Sequence, residues 1–119
     1  MAPMWGEIWN VDFGNPIGHE QGAHRPAVVV SSDWFNVTKA ELHVVVPVSK
    51  TIRAKIGTHL TVHPPEGGLD VPSDVMCEHI RAVSVERLTK RRGVLSDQTM
   101  DEVMKRLKVL LMLGRKGVT

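Results

Sequence analysis

Residues 20–30, EQGAHRPAVVV, set an arginine and a proline directly in front of a run of valines. A β-branched run that is too short for a helix predicts a central strand, here Ala27–Ser31, around which the sheet is built. The proline fixes φ and biases Arg25 toward an extended backbone, which holds the guanidinium at the strand entrance. A guanidinium carries five donors in a rigid fork that fits a phosphate group. Arg25 is therefore either an oxyanion-binding residue or the partner of a carboxylate, Glu20 or Asp12.

Further β-rich runs lie on both sides of this strand, with turn signals between them. They cover residues 5–13, 42–48, 58–63, 75–85 and 87–95, with a turn or a single helical turn at 33–38. At Ser96, a good N-cap residue, the apolar period changes to that of an amphipathic helix, which Gly114 is expected to end. The sequence predicts a mainly β fold: a small barrel or strongly bent sheet of five to seven short strands, closed by the C-terminal helix.

The predicted helix has one apolar face. Its members recur at helical spacing: Met100, Val103, Met104, Leu107, Leu110 and Leu111. Such a face packs in the core or lies against a second subunit, and one helix can do both along different edges.

Length and composition limit the class of protein. The chain has 119 residues, of which 42% are hydrophobic and 24% charged, so we expect one globular domain over residues 1–119. No apolar run reaches the roughly 18 residues of a bilayer span and no signal-peptide pattern is present, which predicts a cytoplasmic protein without a membrane partner. The single cysteine, Cys77, agrees with a reducing compartment and is expected to pack as a small apolar residue.

The charge pattern leaves two interpretations open. The net charge is only +2, but acidic segments (1–38 and 59–89) alternate with basic ones (39–58 and 90–119). This alternation predicts either one basic face suited to a phosphate backbone or a mixed, solvated surface.

Most catalytic and metal-binding motifs are absent from the sequence. There is no phosphate-binding G-x-x-x-x-G-K-[ST] loop, no G-x-S-x-G elbow and no H-E-x-x-H. His59 and His63 lie four residues apart on a predicted strand, about 13 Å, too far to share one zinc ion. What remains is Arg25 together with Ser49, which ends the run VVVPVS and is either a phosphate-binding hydroxyl or an ordinary turn residue.

Short sequence blocks then occur in a fixed order along the chain. They are W-G-E-I-W-x-V-D-F at 5–13, P-x-G-x-E-Q-x-x-x-R-P-A-V-V-V-S at 16–31, T-H-L at 58–60, E-x-I-R at 78–81 and L-S-D-x-x-M at 95–100. Over nearly its whole length the chain resembles the MazF/PemK family of toxin endoribonucleases. The resemblance implies an SH3-like barrel with a C-terminal helix, a homodimer, and inhibition by a cognate antitoxin. It also implies cleavage of single-stranded RNA without metal or cofactor, by attack of the 2′-OH on phosphorus, leaving 2′,3′-cyclic phosphate and 5′-OH ends.

The resemblance also assigns roles to residues. The family's catalytic arginine falls on Arg25 and its strand-end threonine on Ser49, where the hydroxyl is kept. Residues expected to contact RNA are Glu20, Gln21, His24, Lys50, Arg53, Lys55, His59 and His79. His79 replaces a common glutamine, which predicts a different RNA sequence preference. Proton transfer falls to His24 or His59, unless these histidines are structural or stack on RNA.

Two other functions are compatible with the same fold. One is a noncatalytic toxin that binds a protein such as gyrase, and the other is a plain RNA-binding module. The E-Q-x-x-x-R-P block argues against the first, because gyrase-directed relatives lack it, and the pairing of Arg25 with Ser49 argues against the second. In the preferred interpretation a loop at 14–24 admits the RNA, and Trp34 either stacks on a base or has a core or turn role.

Overall fold

The computed structural model describes residues 2–15, 17, 18, 23–53 and 55–114. Within them the chain forms seven strands, one short helix and one longer C-terminal helix. The elements are β1 (Glu7–Asp12), β2 (His24–Val29), α1 (Asp33–Asn36), β3 (Leu42–Ser49), β4 (His59–Val62), β5 (Ser73–Met76), β6 (Arg81–Ser84), β7 (Leu88–Val94) and α2 (Asp97–Leu110). The predicted mainly β fold with a C-terminal helix is confirmed.

All strand pairs of the sheet are antiparallel. The strand order is β4-β5-β3-β2-β1-β7, and β6 pairs with the first half of β3. Among the described residues no backbone ladder joins β4 to β7, so the sheet does not close into a barrel. Its two ends nevertheless approach: a Cβ on Gly93 of β7 would lie 2.6 Å from the carbonyl carbon of Gly67, in the turn after β4.

Strand β3 lies between β2 on one edge and β5 on the other, and the main groove lies where its ladder with β2 ends. The ladder with β2 runs as far as the pair of Ala27 with Pro47. The next two residues of β3, Val48 and Ser49, pair with β5 on the opposite edge of the strand and have no ladder pair in β2. Because proline has no N–H to donate, Pro47 is a natural place for the ladder with β2 to end. Beyond it the start of β2 and the end of β3 separate.

The valine runs of β2 and β3 are buried on both faces of the sheet. On one face Val28 and Val46 pack against the apolar edge of α2. On the other face Ala27, Val29 and Val45 pack in a second apolar cluster. Continuous apolar runs, rather than alternating ones, are typical of strands covered on both sides. The two strands that lead to the groove are therefore rigid.

The β-rich run 75–85 forms two strands rather than one. A 3-10 turn at Cys77–His79 separates β5 from β6. The turn is fixed because the Cys77 amide donates to the Thr58 carbonyl oxygen at 3.2 Å and the Ile80 amide donates to the Cys77 carbonyl oxygen at 3.2 Å. Cys77 is fully buried, and burial raises the pKa of its thiol to about 11, so it packs as an apolar residue, as predicted.

Helix α2 begins as predicted and ends earlier than predicted. Ser96 is the N-cap, and its Oγ accepts a hydrogen bond from the Thr99 amide at 3.1 Å. The helix ends at Leu110 rather than near Gly114, because Met112 adopts a positive φ of 56° and the Leu113 amide turns back to the Lys108 carbonyl oxygen.

Only part of the predicted apolar face of α2 is buried. Met100, Val103 and Leu107 pack in the core, whereas Met104, Leu110 and Leu111 are exposed. In the described part of the chain, no helix combines the length and apolar character needed to cross a membrane.

Candidate active site

A groove opens where β2 begins and β3 ends. It consists of two adjoining cavities of about 530 Å³ and about 350 Å³. Three residues line both cavities and so lie at their junction: Arg25, Ser49 and Thr51. We call the larger cavity the β7 arm, after Arg92 of β7, which lines it together with Asn10 and Asp70. The smaller one is the histidine arm, lined by Arg53, His59, Glu78 and His79.

The strand register brings Arg25 and Ser49 to opposite sides of the junction. Ala27 faces Pro47 in the last pair of the β2–β3 ladder. Two residues further along each strand, the same register places Arg25 opposite Ser49. The ladder between β2 and β3 has ended before this point, and both residues line the two cavities.

The two side chains offer different kinds of hydrogen-bond donor. Arg25 is half-buried, and desolvation lowers the pKa of its guanidinium, which nevertheless stays cationic at neutral pH. Ser49 Oγ accepts a hydrogen bond from the Thr51 amide at 3.1 Å. A hydroxyl that accepts one bond still has its own hydrogen to donate. The junction therefore presents a charged fork and a neutral donor to the same volume.

The histidine arm contains an imidazole between two carboxylates. His59 Nδ1 lies 2.9 Å from Asp74 Oδ2, and His59 Nε2 lies 2.5 Å from Glu78 Oε2. The His59 side chain is 3% exposed, whereas that of Glu78 is 32% exposed. Thr58 Oγ1 donates a further hydrogen bond to Glu78 at 2.6 Å. Glu78 is therefore the member of this chain of groups that faces the groove.

Hydrogen bonds keep both of these carboxylates ionised. Burial raises the pKa of Asp74, but bonds from Thr61, the Arg53 amide and His59 outweigh burial and lower the pKa overall. The pKa of Glu78 is lowered in the same way, since its hydrogen bonds outweigh its burial. An ionised carboxylate only accepts hydrogen bonds, so a protonated nitrogen of His59 donates to the carboxylate that it faces.

Comparison with known proteins places the chain in a family. Residues 5–111 match the family described as PemK-like, MazF-like toxin of type II toxin-antitoxin system. The chain belongs to this toxin family. The resemblance inferred from the sequence blocks is thereby confirmed.

Individual relatives of the toxin agree with this assignment. It is 30% identical over 108 residues to endoribonuclease EndoA of Bacillus subtilis (strain 168), which covers 91% of this chain and 93% of that protein. A crystal structure of MazF from Deinococcus radiodurans superposes with a TM-score of 0.83 at 25% identity, covering 95% of this chain and 99% of that one. A mycobacterial endoribonuclease in complex with its cognate antitoxin has the same fold, with a TM-score of 0.77 at 23% identity over 94% of this chain and 97% of that one.

Most of the site residues predicted from sequence lie at the groove of the toxin. The β7 arm is lined by His24, Arg25, Ser49 and Lys50, and the histidine arm by Arg25, Ser49, Arg53, His59 and His79. Lys55 lines neither arm and lies in the exposed turn after Arg53. Glu20 and Gln21 lie outside the described residues.

Sequence reasoning missed several polar groups of the toxin. Arg92 crosses the β7 arm, where its guanidinium donates to Asn10 Oδ1 at 3.2 Å and to Asp70 Oδ2 at 3.1 Å. The run of three basic residues at 90–92 is the sequence feature that could have pointed to Arg92. Glu78 belongs to the E-x-I-R block, whose arginine instead lies over the ring of a core phenylalanine. Asp74 gave no such signal, because it precedes the predicted run 75–85 and its burial depends on pairing with β3 and β4.

Trp34 lies away from the groove. It belongs to α1, which follows the C-terminal end of β2, whereas Arg25 lies at the N-terminal end of that strand. Trp34 is 78% exposed. Neither base stacking at the groove nor a core role fits this position, and Trp34 is a surface residue of the helical turn.

Proposed function

We propose that this toxin is an endoribonuclease that cuts single-stranded RNA at a short sequence and thereby stops translation and growth. The observation that carries the proposal is the placement of Arg25 and Ser49 on opposite sides of the junction between two groove arms. A strand of RNA lying along both arms would bring one phosphate between these two donors. The assignment of the chain to its toxin family and its likeness to an endoribonuclease support the same conclusion.

The proposed reaction uses a nucleophile that belongs to the substrate. The 2′-oxygen forms a bond to the adjacent phosphorus, the bond from phosphorus to the 5′-oxygen breaks, and a 2′,3′-cyclic phosphate and a 5′-OH result. Negative charge gathers on the equatorial oxygens of the phosphorane, and fixed donors aimed there usually make the largest contribution to catalysis. Arg25 supplies two N–H groups and a charge, and Ser49 supplies a neutral O–H.

The two histidines considered for proton transfer differ in how accessible their side chains are to RNA. The 2′-OH loses a proton and the 5′-oxygen gains one. Both His59 nitrogens are engaged by carboxylates and the ring is buried, so His59 does not reach RNA directly. The His24 side chain is 69% exposed beside Arg25, with its Nε2 3.8 Å from Asp12. Of the two histidines considered from sequence, His24 is therefore the one placed to exchange a proton with RNA.

The partners of the toxin follow from the same family assignment. We infer a homodimer and a cognate antitoxin, a partly disordered acidic and apolar segment that folds across the dimer and displaces RNA. The basic side chains Lys50 and Arg53 at the groove suit either an RNA backbone or the acidic groups of such a segment.

Cleavage of mixed RNA in the presence of EDTA tests the proposal. The wild-type protein should give discrete fragments with cyclic-phosphate ends, and Arg25→Ala should abolish them. Arg91→Ala is the matched control, since it removes an exposed arginine paired with Glu7 outside the groove. Intact RNA with the wild-type protein, or full activity in Arg25→Ala, contradicts the proposal.

Two substitutions of Ser49 extend the same experiment. Ser49→Thr keeps the hydroxyl and should stay active, whereas Ser49→Ala removes one donor to the phosphorane and should lower kcat roughly 100-fold or more. Equal activity of the two variants would remove Ser49 from the proposed mechanism.

A further inference from the structure

Asp74 is a carboxylate buried directly beneath the groove. It lies on β5, where it pairs with Ser49 of β3 on one side and with Thr61 of β4 on the other. Its exposure is zero, and its neighbours Val75 and Met76 on the strand are also buried. The nucleophilic chemistry proposed above makes no use of this group.

Three donors surround the Asp74 carboxylate. Thr61 Oγ1 donates to Oδ1 at 2.6 Å, the Arg53 amide donates to Oδ2 at 2.7 Å, and His59 Nδ1 lies 2.9 Å from Oδ2. A charge taken out of water costs free energy that such bonds offset without a large surplus, and an apolar residue would serve the strand at least as well. Stability alone therefore does not account for an aspartate here.

The bonds of Asp74 lead to parts of the histidine arm. Through the Arg53 amide it anchors the segment that follows Ser49 and carries the basic residues. Through Nδ1 it fixes the orientation of the His59 ring, so that Nε2 points at Glu78. His59 in turn holds the Glu78 carboxylate at the groove wall. One buried group thus sets the position of both sides of this arm.

We propose that Asp74 is a positioning residue of the active site, which acts chiefly through His59 to hold Glu78 against the substrate beside Arg25 and Ser49. The proposal rests on the ribonuclease function proposed above. Asp74 itself does not touch RNA, since it has no exposed surface. Its effect on cleavage passes through the imidazole that it orients.

A double-mutant cycle on kcat/KM tests whether Asp74 acts through His59. Asp74→Asn keeps the shape of the side chain but removes its charge and leaves one acceptor oxygen where the carboxylate has two, which serve Thr61, the Arg53 amide and His59. We expect Asp74→Asn to lower kcat/KM roughly 10- to 100-fold, as small misplacements of catalytic groups do. If Asp74 acts chiefly through His59, the loss should fall mainly on kcat, whereas displacement of the Arg53 segment would raise KM instead.

The double-mutant cycle distinguishes a loss of positioning through His59 from a general disruption of the fold. Adding Asp74→Asn to His59→Asn should cause little further loss, because both changes disable the same route. Glu66→Gln is the matched control: it removes another carboxylate that accepts a backbone hydrogen bond, here from Ser96, outside both arms, and should leave kcat/KM unchanged. Additive losses in the double variant, or Asp74→Asn activity within about twofold of wild type, would overturn the proposal.

A second measurement does not depend on RNA cleavage. In a long-range proton–nitrogen NMR spectrum of the labelled wild-type protein at neutral pH, His59 Nδ1 should carry a proton, and Asp74→Asn should shift its signal. An unprotonated Nδ1 in the wild type overturns the proposal even if Asp74→Asn does not fold. Wild-type protein that shows the protonated Nδ1 but cuts no RNA instead contradicts the ribonuclease function while leaving the structural role of Asp74 in place.

Discussion

Arg25 and Ser49 face each other because of the residues that follow and precede them. Pro26 follows Arg25 and fixes the strand entrance, and Pro47 precedes Ser49 at the point where β3 leaves β2. Neither functional side chain requires an unusual backbone for this. At the scale of single residues, the site is made by two prolines near the end of the β2–β3 ladder and by buried valines that keep the strands rigid.

Asp74 should also make stability dependent on pH. Its pKa in the folded protein is lowered, below the unfolded value of about 3.9. Its contribution is therefore complete above the unfolded pKa and is lost as the pH falls through the folded pKa. We expect the wild-type Tm to fall between about pH 5 and about pH 2 more steeply than the Tm of Asp74→Asn, as measured by circular dichroism.

Thr61→Val is the comparison variant for this prediction. It keeps the carboxylate and removes one of its three donors, so its pH dependence should lie between those of the wild type and Asp74→Asn. Identical slopes for Asp74→Asn and the wild type would mean that other carboxylates govern acid unfolding.

Several elements were predictable from local pattern, and the groove was predictable only in part. The valine run, the β-rich run at 5–13 and the N-cap Ser96 predicted β2, β1 and α2 correctly, because each pattern depends on neighbouring residues. The division of 75–85 depends on a contact of Cys77 with Thr58, and the position of Ser49 depends on the pairing of β3 with β5. Such long-range pairings leave no local signal, and for this reason Arg25 was found from sequence while Asp74 was not.

The segment between β3 and β4 should track the RNA backbone. Lys50 and Arg53 line the groove arms and Lys55 lies on the adjoining turn. Each phosphate contact that is lost should reduce the slope of log affinity against log salt by about 0.7 for a single strand. Alanine variants of these residues can be titrated with an RNA whose 2′-OH at the mapped cut site is replaced by hydrogen, so that it binds without reacting.

Lys39→Ala is the matched control for the salt experiment. It removes the same charge from the turn before β3, at the end of that strand opposite Ser49, and should leave the slope unchanged. An unchanged slope in the Lys50, Arg53 and Lys55 variants would instead mean that RNA binds elsewhere on the protein. The basic run at residues 90–92 is the next candidate.

The contact between β7 and the turn after β4 should tolerate no side chain at position 93. A Cβ there would lie 2.6 Å from backbone atoms of Gly67 and Gly68, and backbone cannot move aside as a flexible side chain does. Gly93→Ala should therefore lower the free energy of unfolding by about 1–3 kcal/mol. Urea denaturation measures this, with Gly57→Ala as control, since a Cβ at Gly57 meets nothing within 4 Å. Equal stability of the two variants would show that the sheet ends separate easily.

On the scale of the whole molecule, apolar surface is concentrated at two places. One is the α2 end, residues 109–113, whose side chains are between 37% and 63% exposed. The other is the turn of α1, with Trp34 and Val37 exposed. The inner edge of α2 is already used by the core, and five consecutive exposed apolar residues are more than a solvated monomer usually presents. The α2 end is therefore the surface that a second copy of the toxin would cover.

Charge placed on the α2 end should dissociate the proposed dimer. Leu111→Lys puts an ammonium group where a second copy would pack, and burying that charge without a partner is unfavourable. In sedimentation velocity the wild type should run as a dimer and Leu111→Lys as a monomer, while Trp34→Lys, an equivalent change on the other apolar surface, should remain dimeric. Dissociation by Trp34→Lys alone would place the interface at α1, and a monomeric wild type at micromolar concentration would mean that the toxin acts as a single chain. In that last case both arms of the groove would have to hold RNA without any contribution from a partner.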